Sequence, residues 1–189
     1  MLLILNYDPP LISRRHTENG MLGGVAKFLR NEEVQLLNQS LVSLGLPPTV
    51  SCETRYIISF RLVHESAVYY SAKYKRVKSR NSYTVVFKDA SCGTAYGQIQ
   101  FFVLFSSSVF VYVKKFEPLP VTCQVHFHLS HQSIDKLTAS SVVPVKPDSV
   151  IDEFIPASSL VSKCIFVSIT DSSNPCNYII SFPNKLLYD

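Results

Sequence analysis

Residues 95–116, AYGQIQFFVLFSSSVFVYVKKF, decide the fold. Two runs rich in β-branched and aromatic residues flank Ser106, Ser107 and Ser108, which is the pattern of a β-hairpin. In the first run a period of two puts Ile99, Phe101, Val103 and Phe105 on one face, and Phe102 and Leu104 on the other. Apolar side chains on both faces imply a strand covered on both sides. Tyr96-Gly97 opens the unit. Pro118 and Pro120 close it, because proline cannot donate to a ladder.

Outward from this hairpin the strand pattern repeats. Residues 55–64, 68–75 and 83–88 precede it, with a turn at 89–93. Residues 121–129, 150–155, 160–169 and 178–182 follow it, and the polar, proline-containing stretch 130–149 reads as a loop. About nine short strands predict a mainly β fold, a small partly open barrel or a strongly bent antiparallel sheet. One helix is expected over residues 31–44. Val34, Leu37, Leu41 and Leu44 share a helical face, Asn31 caps the start, and Gly45 with Pro47-Pro48 ends it. It reads as a packing helix on the sheet. Residues 1–24 read as a lead-in and 25–189 as a single β-rich domain.

Composition narrows the class. The chain has 189 residues, enough for one domain with a real core. Hydrophobic residues make up 47% and charged residues 17%, which excludes a disordered chain. Five cysteines with no CxxC pair read as reduced thiols, mostly buried in strands, in an intracellular protein. No apolar run approaches the roughly 20 residues that span a bilayer.

Charge is concentrated rather than large. Lys73, Lys75, Arg76, Lys78 and Arg80 place five cations in eight residues. Tyr69, Tyr70, Tyr74 and Tyr83 flank them, and no acid occurs between Ser66 and Phe87. Cations attract phosphate, and tyrosines among them can stack on bases. This stretch is the candidate nucleic-acid site, with Tyr74 and Tyr83 as its ring-bearing residues. The alternative is a solvated edge of a structural or protein-interaction domain.

No chemistry competes with it. There is no GxSxG, phosphate-binding glycine loop, HExxH or dinucleotide fingerprint, so no catalytic residue, cofactor or small-molecule substrate is assigned. Cys123, His126, His128 and His131 have metal-ligand side chains. On a regular strand His126 and His128 share a face that Cys123 does not, and zinc needs convergent ligands, so no metal site is expected. Asp148, Asp152 and Glu153 read as a solvated turn rather than a nuclease site.

As a series, the chain resembles the C-terminal β-domain of transposon-associated proteins of lower metazoans. The residues that carry the likeness are Tyr74, Arg76, Arg80 to Tyr83, Val85, Tyr96, Gly97, Ile99, Phe102, Lys163, Cys164, Phe166, Pro183, Asn184 and Asp189. A more distant likeness is to bromo-adjacent homology domains, through Tyr96-Gly97-Gln98-Ile99 and residues 155–166. That second likeness implies chromatin reading through an aromatic cage, although the chain has no Trp. With the missing catalytic patterns and the basic stretch, the reading is a non-enzymatic binding module of a transposon-derived protein. DNA, RNA or a chromatin protein would be its partner, no membrane would be involved, and its setting would be intracellular and nuclear.

Overall fold

The computed structural model describes residues 19–74, 83–89, 91, 93–119, 142–170 and 175–181. In chain order the elements are β1 (Val25–Phe28), α1 (Asn31–Ser43), β2 (Arg55–Ser59), β3 (Arg61–His64) and β4 (Ala67–Tyr70). They continue with β5 (Thr84–Asp89), β6 (Gly93–Phe105), β7 (Ser108–Pro118), β8 (Val142–Pro156), a 3-10 turn (Ala157–Ser159), β9 (Leu160–Thr170) and β10 (Pro175–Ser181).

Eight strands form one antiparallel sheet in the order β1-β2-β6-β5-β9-β10-β8-β7, and β6 also pairs with β7. That extra pairing turns the sheet back on itself. The result is a partly ringed sheet rather than a true barrel, with β1 and β2 extending from it. β3 and β4 form a separate two-stranded sheet. The fold is therefore the expected bent, mainly β architecture with one helix.

The central hairpin forms as read, with one correction of faces. Ile99 pairs with Val113 and Phe101 with Tyr112, so Gln100 is an inserted bulge residue. A bulge adds one residue to one strand and shifts its alternation. Ile99 therefore joins Phe102 rather than Phe101. Ile99 and Phe102 pack with Val85, Phe87, Val111, Val113 and Ile155 in one core. Phe101 and Val103 pack with Leu37, Leu41, Tyr56, Phe110, Tyr112 and Phe154 in a second, beneath the helix. β6 is covered on both faces, as its apolar sequence implies. Gly97 is required on this strand, since a Cβ there would lie 2.8 Å from the Lys114 carbonyl oxygen.

α1 is entered differently from the reading above. Asn31 is the first helical residue and Arg30 the cap. The Glu33 carboxylate accepts the Arg30 backbone N–H at 2.9 Å and the Arg30 guanidinium at 2.7 and 2.9 Å. The carboxylate thus satisfies the N-terminus where a shorter Asn side chain was expected. Glu33, Leu37 and Leu41 are the buried stripe; Leu44 lies past the helix and is exposed. Gly45 ends it at φ +73°: its N–H donates to Val42, and the Leu46 N–H donates to Leu41 at 2.8 Å. These two bonds define a Schellman stop.

Two strand boundaries also move. Residues 55–64 split into β2 and β3 at Phe60. There the buried Ser59 hydroxyl accepts the Arg61 N–H and donates to the Leu22 carbonyl at 2.8 Å, fixing a corner. Residues 142–149, read as loop, belong to β8. Pro144 is tolerated near the strand's start, where its carbonyl accepts the Leu119 N–H at 2.9 Å. The expected strand 121–129 and the rest of that loop lie outside the described residues. Met21, within the stretch read as a lead-in, is fully buried and bridges to Leu62.

Candidate nucleic-acid interface

The corner at Phe60 and the bulge at Gln100 together make the opening from which the basic stretch leaves the sheet. One edge of β6 pairs with β5 through Gln98 and with β2 from Phe102 onward. Between them Ile99 serves two other partners. Its carbonyl accepts the Ala72 N–H at 2.7 Å, and its N–H donates to the Tyr83 carbonyl at 2.8 Å. Both ends of the basic stretch are thus pinned to a single residue.

Of the candidate residues, Lys73, Tyr74 and Tyr83 are described; Lys75, Arg76, Lys78 and Arg80 lie outside the described residues. The expected strand 68–75 ends at Tyr70. Beyond it the Tyr74 N–H donates to the Ser71 carbonyl, and this turn takes Lys73 and Tyr74 off the ladder. Lys73 is exposed, and its ammonium lies 5.7 Å from the centre of the Phe101 ring. Tyr74 is half-buried, with its ring 5.4 Å from that of Tyr70 and tilted 30°. Tyr83 is half-buried at the other foot.

Sequence reading missed Arg61. Its guanidinium lies 5.2 Å from the Tyr74 ring centre, and Arg61 stands opposite Tyr70 in the β3–β4 ladder. The signal is in the sequence: residues 55–64 and 68–75 both have strand patterns, and closing them through Glu65-Ser66 sets Arg61 across from Tyr70. Those two turn residues have φ of +48° and +65°, the left-handed geometry of a tight hairpin. On the hairpin's other face Leu62 and Tyr69 are buried in the ring core. Lys163 of β9 lies 5.7 Å from the Tyr69 ring, and burial lowers its pKa, while burial raises that of Tyr69.

Three other cations are neutralised by carboxylates. Arg30 pairs with Glu33, Lys146 with Glu117, and Lys115 with Asp89 and Glu153. Among the described residues, Arg61 and Lys73 make no carboxylate ion pair. They meet aromatic rings instead, as do Lys27, Arg55 and Lys163; Arg61 and Lys73 differ from these in lying at the base of the basic stretch.

Asp148, Asp152 and Glu153, expected in a solvated turn, all lie in β8, and Asp152 and Glu153 have structural partners. Glu153 lies 3.7 Å from the Lys115 ammonium, which also bonds Asp89. Asp152, on the opposite face of β8, takes the Tyr112 hydroxyl, whose pKa is pushed up to about 12, chiefly by burial. Among the described residues no three His, Cys, Asp or Glu side chains are placed to hold a metal. Cys123, His126, His128 and His131 lie outside them. Cys164 is buried as expected, with burial pushing its thiol up to about 12, but Cys52 is exposed. No described helix is long and apolar enough to cross a membrane. No family model, curated protein or solved structure matches the chain.

Proposed function

We propose that this chain is a non-enzymatic module that binds nucleic acid at the mouth of the basic stretch. The observation that carries the reading is the state of Arg61 and Lys73. Both lie against rings, outside any carboxylate pair among the described residues, at the base of a stretch with five cations and no acid. Cations not neutralised within the protein are available to phosphates, and releasing counterions drives the contact. Ala72 and Tyr83, on either side of the basic stretch, both hydrogen-bond to Ile99, which fixes the two described ends of the site. The resemblance to transposon-associated β-domains agrees with a DNA-handling or chromatin setting, and hence with a nuclear location.

Salt dependence tests this. Five phosphate contacts on duplex would give log K a slope of about −4.5 against log salt, and fewer contacts a shallower one. Replacing Lys75, Lys78 and Arg80 together by Gln should make the slope shallower and leave the thermal midpoint unchanged. Equal slopes for both proteins, or no binding at low salt, would remove the reading and leave a protein-interaction module in its place.

A further inference from the structure

We infer that the interface takes unpaired nucleotides, with Arg61, Tyr70 and Tyr74 as its stacking face; this rests on the nucleic-acid reading above. Three planar groups are layered outside the β3–β4 hairpin. Tyr70 stands opposite Arg61, Tyr74 lies 5.4 Å from Tyr70, and the Arg61 guanidinium lies 5.2 Å from Tyr74. All three are half-buried rather than covered. The hairpin that carries Arg61 and Tyr70 cannot turn away, because Leu62 and Tyr69 on its other face are locked in the ring core, and Tyr74 follows it in the turn closed on Ser71. An unpaired base has a free π-face that can extend such a layer, whereas a duplex hides its base faces within its own stack. Lys73, next to Tyr74 and exposed, is placed to meet the phosphate that accompanies a stacked base. The same geometry argues against a methyl-lysine cage. The Tyr74 ring already faces a cation, and a second would be repelled, while a base beside a phosphate would not.

The test is fluorescence anisotropy with a labelled single strand of about 12 nucleotides and a duplex of the same length. The single strand should bind about ten-fold more tightly than the duplex at equal salt. Tyr74→Leu should weaken single-strand binding by about ten-fold, while Tyr74→Phe, which keeps the ring, should retain it. Arg61→Gln, which keeps a polar side chain at this half-buried position, should also weaken single-strand binding, so a misfolded Tyr74→Leu protein would not leave the idea unexamined. Equal affinity for single strand and duplex, or single-strand binding indifferent to both Tyr74→Leu and Arg61→Gln, would overturn this inference and leave the salt-dependent module intact. Binding to neither nucleic acid at low salt would overturn both. Saturable capture of a trimethyl-lysine peptide instead would do the same in favour of a cage.

Discussion

The Asp89 carboxylate shows how one residue sets a pH response. Burial alone would raise its pKa, but the Lys115 ammonium and the Ser91 hydroxyl and N–H outweigh burial and hold it well below the usual carboxylate range. A folded pKa below the unfolded value adds stability above the unfolded value, and that stability is lost as pH falls. Glu153 has the opposite sign. Burial, with Asp89 nearby, raises its pKa, so its contribution is full at low pH and declines as pH rises through the folded value. Asp89 is the more strongly shifted of the two, so it governs the acid limb. The urea midpoint should therefore fall as pH drops below about 4. Asp89→Asn should be less stable than wild type at neutral pH and should lose much of that acid dependence. An unchanged acid limb in the variant would mean that other carboxylates carry it. The network was not legible in sequence, because Asp89, Lys115 and Glu153 lie on three different strands. Only the ring brings them together.

At the scale of elements, the helix stop offers a clean measurement. Gly45 holds φ +73°, and a Cβ there would meet nothing within 4 Å. Gly45→Ala should therefore cost about 1 kcal/mol from backbone conformation alone, with no packing contribution. A denaturant series at fixed slope would read it; no loss would mean that the helix end rearranges. Gly45 was readable because a glycine before two prolines has few other roles. The strand order of period and polarity was readable for the same kind of reason: residues 95–116 have no helical solution. The bulge at Gln100 was not. Ile99, Phe101 and Val103 satisfy a period of two whether or not a residue is inserted, and only the partner strand reveals the shift. The corner at Phe60 was hidden in the same way, since Tyr56, Ile58, Phe60 and Leu62 alternate straight through it. Phe60 still packs on the helix side, while Leu62 already lies in the ring core. These two irregularities make the opening at Ile99. The cations of the candidate site were therefore legible in sequence, but the frame that presents them, and Arg61 with it, was not.

At the scale of the molecule, both large cores are built on the same strands. β6 and β7 each send alternate residues to the ring core and to the helix-side core. Neither core can be lost while the other keeps its strands ordered, so the described domain should unfold in a single transition. Leu37→Ala and Val111→Ala test this from opposite sides, since each residue is fully buried in a different core. Leu37→Ala should cost about 2–5 kcal/mol, and Val111→Ala should also lower stability by removing buried methyl groups. In both variants far-UV and near-UV circular dichroism should report one shared midpoint, shifted together. The candidate interface hangs from Ile99, a ring-core residue, so nucleic-acid binding should persist in each variant up to that common midpoint. If Leu37→Ala melted the helix first and left the ring signal and binding in place, the two cores would be independent units. The helix would then have no part in holding the interface.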